Sequence, residues 1–345
     1  MQLIVLGLNH KTAPVEIRER FNFSQDRTVR VLRRLRNNDN LNEAVLLSTC
    51  NRTELYMVLE DPAAGLHFIR TLLRHLAGEQ YKPDYFYNLT GINCVRHLFK
   101  VASSLDSLII GEGQILSQIK NAYHLSRSCG MTDTLFNTLF NRAIAVGKRV
   151  RTETKIAYSS VSVSSAAVDL AIDVVGDLTK ANILVLGAGR MSELTARHLI
   201  DKGAKTIFVS NRNLSHAQEL AEKFNGTAIP YNEFMHQAIT SDIIITSTGA
   251  PHYVITEQGV RDIIPNRSGK PLILVDIAVP RDVDPLVGDI EGVTLYNIDD
   301  LEGVVDMNKN FRSSEAKVAE AIIDEEIKAL KERLRYLTMR PVMVQ

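Results

Sequence analysis

The chain lacks any run of apolar residues approaching the ~20 needed to cross a bilayer. Its apolar start, Leu3 to Leu8, is too short for the core of a secretory leader and has no basic flank before it. An Arg- and Ser-rich, acid-poor leader is also missing, so a soluble, cytoplasmic protein is expected. Cysteine is scarce, three in 345 residues, which suits a reducing compartment. Cys94 and His97 stand at Cys-x-x-His spacing, but no second ligand pair follows, which argues against zinc, and no metal is expected. The chain carries no net charge, no internal repeat and no low-complexity tract.

At 345 residues the chain is too long for one compact core, so about two domains are expected. The charge is uneven. Residues 1–155 hold 21 basic and 14 acidic side chains, and the remainder 19 and 26. A basic first half is compatible with a polyanion partner, and equally with chance variation between domains. Residues 2–8, 44–48 and 53–59 read as strands, with helices over 24–37 and 62–76, and 92–152 reads as a helical block. From 182 onward strands and helices alternate, with strands at 182–186, 206–210, 242–247 and 272–277. That alternation predicts an α/β unit with a parallel sheet. A charged helix over about 306–338 carries Ile323, Ile327, Leu330, Leu334 and Leu337 at steps of 4, 3, 4 and 3, a seam for packing on another helix.

Two segments carry candidate chemistry. In ILVLGAGRMSELTARHL a strand runs into a glycine turn and a helix. Gly187 permits the tight turn, Gly189 lets the backbone approach a pyrophosphate, and the N–H groups that open the helix face that anion. Ala188, Arg190, Met191 and Ser192 complete the turn, with Ser192 where the fingerprint has a third glycine. After the second strand stands Ser210-Asn211-Arg212 rather than an acidic residue, which suits a 2′-phosphate and therefore NADPH, unless Arg212 is only a solvated surface charge. Ser247-Thr248-Gly249 after a later strand is expected to complete the pocket. The second segment is LLSTCNRTELY, where Cys50 lies in a polar turn beside Arg52. A thiolate is favoured near a cation, although an inert thiol fits the spacing as well. His97 lies in a helical stretch, where a structural role is the commoner one.

STCNRTELY, HLFKVASSLDSLIIGEGQI, the KRVRTET run, GAGRM and VDIAVPRDVDP resemble, in order, the motifs of the glutamyl-tRNA reductases. The resemblance spans residues 1–340. It implies an α/β architecture of three parts: an α+β catalytic domain over 1–155 made of a small sheet and a helical block, a Rossmann-type NADPH domain over 156–300, and a long helix over 301–345. It further implies that glutamyl-tRNA(Glu) is reduced to glutamate-1-semialdehyde with release of tRNA, the first step of tetrapyrrole synthesis. By the same resemblance Cys50 is the nucleophile and His97 a histidine important for activity. Thr49, Asn51, Arg52, Ser107, Glu112, Gly113, Gln114 and Gln118 bind the substrate, and Gly187 to Ser192 bind the nucleotide. Family members read Glu-Pro-Gln where this chain has Glu112-Gly113-Gln114, and glycine loosens that turn. They also continue into a helical dimerisation domain, so the family homodimer is not carried over to this chain. Glutamate-1-semialdehyde aminomutase is the partner that the family's pathway implies. Contacts to tRNA are expected from Arg142, Lys148, Arg149 and Arg151 and from the Arg-rich first helix. Two other readings compete: a shikimate-type dehydrogenase, which has no use for Cys50, and a non-enzymatic NADPH-binding relative.

Overall fold

The computed structural model describes residues 1–77, 82–156, 162–301 and 309–343. It divides into two compact units, residues 1–160 with 308–345, and residues 161–307.

The first unit is built on a four-stranded antiparallel sheet. Its strands are β1 (Gln2–Asn9), β2 (Leu41–Ser48), β3 (Arg52–Leu59) and β4 (Tyr87–Thr90), in the order β2-β3-β1-β4. Side chains alternate across a strand, and here both faces are covered. Ile4, Leu6, Leu8, Leu46, Leu55 and Met57 pack with Leu32 and Leu35 of α2 (Gln25–Leu35) and with Ile69 and Leu72 of α3 (Pro62–Ala77). A short helix α1 (Val15–Arg18) precedes them. The other face, Val5, Val45, Leu47, Tyr56 and Val58, packs with α4 (Gly91–Ala102), α5 (Gln114–Ser128) and α6 (Thr134–Glu153). β4 is an addition to the strands expected from sequence. Its four residues are half-exposed or exposed, so it carries little apolar signal.

The second unit begins with α7 (Val163–Val175), closed at its N-terminus by a Ser162–Ser165 capping box. Its sheet has six parallel strands in the order β10-β9-β8-β5-β6-β7. They are β5 (Asn182–Leu186), β6 (Thr206–Ser210), β7 (Thr227–Ile229), β8 (Ile243–Thr246), β9 (Leu272–Asp276) and β10 (Val293–Asn297). The connecting helices are α8 (Arg190–Asp201), α9 (Leu214–Lys223), α10 (Phe234–Ala238) and α11 (Glu257–Ile263). The sequence showed four of these strands. β7 and β10 are the sheet edges, and their burial is only partial. The chain starts at the sheet centre, runs outward to β7, returns beside β5 as β8 and runs out to β10. That reversal creates a crevice at the strands' carboxyl ends.

The charged helix, α12 (Lys309–Met343), belongs to the first unit and is not a body of its own. Ala319, Ile322, Ile323, Ile327 and Leu330 are buried in the core made by α4, α5 and α6. Leu334 and Leu337 lie outside the residues whose side chains are described. Carboxylates of α12 take up basic side chains of α4 and α6: Asp324 with Arg96, Glu320 with Lys100, and Glu326 with Arg142. Arg149 meets both Glu325 at 2.9 Å and Glu326 at 3.0 Å. Arg142 and Arg149, expected to face nucleic acid, are therefore held by this helix.

Candidate active site

Cys50 sits at the tip of the β2–β3 hairpin. Thr49 and Arg52 close the loop, with the Thr49 N–H donating to the Arg52 carbonyl at 2.9 Å. The Thr49 hydroxyl accepts from the backbone N–H groups of Asn51 (3.2 Å) and Arg52 (3.1 Å). The strand beside the hairpin adds one more tie, from the His10 N–H to the Asn51 carbonyl. A residue that carries no motif signal completes the support. Arg18, buried at the end of α1, donates to the Cys50 carbonyl at 2.7 Å and to Asn51 Oδ1 at 3.3 Å. Thr49 and Asn51 thus shape the loop that presents the thiol.

Arg52 does not act on the thiol as the sequence led us to expect. Its side chain is buried and its guanidinium is committed elsewhere: to Glu54 at 2.6 Å, to Asp106 Oδ2 at 3.2 Å, and to the Asp106 carbonyl. Glu54 is the hub of this network. It also accepts from the hydroxyls of Tyr56 and Tyr87, each at 2.5 Å, and lies 2.8 Å from His97 Nε2. Burial alone opposes the Glu54 charge, but Arg52 and His97 more than offset it and hold the carboxyl well below the usual range. Asp106 is likewise opposed by burial and held down at about 2 by Arg52 and Lys11. His97 therefore belongs to the Glu54 network, with its Nδ1 3.9 Å from Asp106. Gly7 makes the network possible. It pairs with both Glu54 and Tyr87 across β1, and a Cβ there would lie 2.8 Å from Glu54 Cγ and 3.0 Å from the Tyr87 oxygen.

The thiol itself is not activated. Burial pushes the Cys50 thiol up to about 12, Glu112 adds to this, and Arg18 opposes it. Glu112 is half-buried, and its own carboxyl is raised by burial. The turn that carries it is pinned by Ser104, whose hydroxyl donates to the Glu112 carbonyl at 2.6 Å. Gly113 has φ −74°, close to the value a proline imposes, so the turn keeps a proline-like path without one. The Arg151 guanidinium lies where a Cβ of residue 113 would point, 2.9 Å away. Gln114 opens α5, Ser107 is half-buried in the loop after α4, and Gln118 lines a separate cavity beside β2. Cys94 is fully buried in the α4 core, where burial raises its thiol further. Cys129 caps the end of α5.

In the second unit, Gly187 has φ +111°, and a Cβ there would stand 2.7 Å from the Ser247 carbonyl. Only glycine lets β5 turn this tightly against the loop after β8. A Cβ at Gly189 would meet nothing within 4 Å, which leaves the backbone at the start of α8 open to a ligand. Ser192 replaces the third glycine without loss: it is buried, and its hydroxyl bonds the Ser247 hydroxyl at 2.8 Å. Ala188 is half-buried, Arg190 is exposed, and Met191 is held by Ser164 through its carbonyl at 3.2 Å. A cavity of about 290 Å³ opens at the sheet reversal, lined by Gly187, Ser210, Asn211, Arg212, Thr248 and Gly249. Within it the Ser210 hydroxyl is buried with no partner among the described residues, and Arg212 is exposed at the rim. An open glycine turn, a hydroxyl with no partner among the described residues and an exposed cation fit a dinucleotide. Thr248 is fixed by its N–H to Asp282 at 2.7 Å. Asp276 anchors the VDIAVPRDVDP segment, accepting from Thr246, Ala278, Asp282 and Val283.

Comparison with known proteins agrees with both units. The family model described as glutamyl-tRNAGlu reductase, N-terminal domain, matches residues 6–154, and the shikimate/quinate 5-dehydrogenase model matches 169–304. Glutamyl-tRNA reductases of Trichlorobacter lovleyi and Geobacter sulfurreducens are 45% and 44% identical over all of this chain, which spans 80% of each. The solved glutamyl-tRNA reductase from Methanopyrus kandleri is 35% identical, with a TM-score of 0.53 over 99% of this chain and 82% of that one. No helix among the described residues is long and apolar enough to cross a membrane. With the hairpin cysteine, the dinucleotide crevice and the matched relatives all in one chain, this protein belongs to the glutamyl-tRNA reductase family.

Proposed function

We propose that this protein reduces the glutamyl group of glutamyl-tRNA(Glu) to glutamate-1-semialdehyde, with NADPH as reductant and a thioester on Cys50 as intermediate. The observation that carries this reading is a thiol presented at a hairpin tip by a buried arginine, in a chain whose second unit is a dinucleotide fold. Residues 1–155 take the role of the catalytic domain and 156–300 that of the nucleotide domain.

A free carboxylate resists hydride because it is already negative, whereas an acyl group on sulfur does not. The Cys50 sulfur attacks the ester carbonyl, the ribose oxygen leaves with a proton, and the glutamyl group stays on sulfur. When bound, NADPH supplies the hydride that reduces this thioester. The resulting hemithioacetal expels the Cys50 thiolate and frees the aldehyde. Gly187, Gly189, Ser192 and Arg212 hold the nucleotide, with Arg212 on the 2′-phosphate. Burial is the main influence that raises the Cys50 thiol and Glu112 the second; the α-ammonium of the glutamyl ester, placed beside Glu112, would offset that second influence and so favour the thiolate. His97 and Arg52 are both fixed through Glu54, which gives the strand after the hairpin one set arrangement. The aldehyde passes to the family's aminomutase.

The shikimate-type alternative has no role for the clamped cysteine. Absorbance at the NADPH band, with glutamyl-tRNA compared with free glutamate plus uncharged tRNA, tests the reading. Oxidation with the charged tRNA alone is expected; oxidation with neither, while NADPH binds, would return the chain to a non-enzymatic nucleotide-binding role.

A further inference from the structure

The first unit holds a second cavity, of about 610 Å³, lined by Phe23, Gln25 and Thr28 around the start of α2, by Ser48 of β2, and by Gln118 and Asn121 of α5 among others. Its lining is unusual for a basic unit: amides, hydroxyls and His124 beside apolar Leu46, Ala122 and Leu125, with no carboxylate, lysine or arginine. The floor is rigid. Ser48 Oγ accepts from the Phe23 N–H at 2.9 Å and lies 3.4 Å from Asn22 Oδ1. Ser48, which lines the cavity, is the last residue of β2 and stands two positions before Cys50 in the chain.

On the other side of α2 lies a smaller hollow, about 230 Å³, lined by Arg27, Arg30 and Arg34 with Val31 and Leu72. These arginines recur at steps of 3 and 4 and so share one helix face. Arg27 stacks over the Phe23 ring at 4.7 Å, linking the two hollows. Among the described residues no carboxylate pairs with Arg30, Arg33, Arg34 or Arg36, in contrast to Arg142 and Arg149. Of the two basic candidates left by the sequence, α6 has its Arg142 and Arg149 taken up by carboxylates, whereas among the described residues Arg30, Arg33, Arg34 and Arg36 of α2 meet none.

We infer that the cavity between α2, β2 and α5 receives the terminal adenosine of the tRNA, and that the arginine face of α2 takes the phosphates of the single-stranded acceptor end. This rests on the reductase reading above. The leaving oxygen in that reaction belongs to the terminal ribose, so the base of that nucleotide must lie within one nucleoside length of the Cys50 sulfur. Amide donors and acceptors suit a base edge, and an aromatic ring such as that of His124 in the lining suits a base face. Uncharged lining at the base and unpaired cations beyond it match the charge layout of a nucleotide followed by its phosphates.

The test is a cycle of two substrates and two proteins. Glutamyl-tRNA is compared with a glutamyl-tRNA whose terminal base has been removed, on the full chain and on Gln25→Leu/Asn121→Leu. In the parent chain, removing the base is expected to lower kcat/KM by roughly 10- to 100-fold, the value of one bound base. In the double variant the same removal is expected to cost less than about threefold, because the partner groups are already gone. An equal loss in both proteins would overturn the assignment of the cavity, and a misfolded variant cannot mimic the expected result, since it would weaken both substrates alike. Failure of the parent chain to turn over intact glutamyl-tRNA would instead overturn the reductase reading beneath it. Arg30→Glu/Arg34→Glu should raise KM for intact glutamyl-tRNA and flatten its dependence on salt; an unchanged salt slope would remove α2 from the phosphate path.

Discussion

The Tyr87 hydroxyl reaches across the whole width of β1 to donate to the Glu54 carboxylate, 2.5 Å from oxygen to oxygen. It can do so because the strand residue between them is Gly7. Gly7→Ala would force a methyl within 3.0 Å of both partners. We expect destabilisation of about 1–3 kcal/mol, the usual cost of overpacking, together with a fall in turnover as His97 and Arg52 lose their anchor. Thermal unfolding followed by circular dichroism checks the first and NADPH oxidation the second; parental values for both would remove the network from the account.

The same network sets a pH dependence. Asp106 is held at about 2 and Glu54 also lies below the usual range, so their contribution to stability is present above the ordinary carboxylate pKa and is lost as pH falls. His10 is lowered to about 4, chiefly by burial and then by Arg52, so it too stays neutral in the fold and destabilises it when protonated in acid. All three shifts have the same sign. Between about pH 4 and pH 3 the urea midpoint should therefore decline, and Asp106→Asn should flatten that part of the curve, whereas at higher pH Asp276, raised to about 7 by burial, acts in the opposite sense. A flat midpoint over that range in the parent chain would contradict it.

Cys50, with its thiol near 12, should be alkylated slowly at neutral pH and about tenfold faster for each pH unit up to 9. Glu112→Gln removes a charge that raises the thiol, so alkylation at fixed pH should speed up while turnover falls. Peptide mass spectrometry separates Cys50 from Cys129. Slower alkylation in the variant would refute the link between Glu112 and the thiol.

Arg212 stands exposed at the rim of the nucleotide cavity. Arg212→Ala should raise KM for NADPH roughly tenfold, the value of a charge-assisted hydrogen bond, and leave KM for NADH nearly unchanged. Equal changes for both nucleotides would mean that Arg212 does not read the 2′-phosphate.

Local grammar made part of this legible in advance. The glycine turn, its strand and its helix are neighbours in sequence, so Gly187, Gly189 and the loop Ser247–Gly249 could be read directly, and Ser192 finds its reason only in Ser247, 55 residues away. The hairpin around Cys50 was equally readable. What could not be read was non-local. The sequence puts Arg52 beside the thiol, yet its partners in the fold are Glu54 and Asp106. A signal for this was present: Arg52, Glu54 and Tyr56 alternate, which puts a cation, a carboxylate and a phenol on one face of a buried strand. Arg18 carried no such signal, since its contact with the Cys50 loop spans 32 residues. Arg142 and Arg149 looked like free basic positions because nothing local identifies α12 as their partner.

The central claim is a glutamyl thioester on Cys50, and the most direct measurement is to capture it. The enzyme is mixed with glutamyl-tRNA labelled in the glutamyl group, without NADPH, quenched in acid and digested. The account predicts label on the peptide that contains Cys50, released by neutral hydroxylamine and absent from Cys50→Ser, which should still bind NADPH. Label absent from that peptide in an enzyme that turns over normally with NADPH, or full turnover by Cys50→Ser, would contradict it.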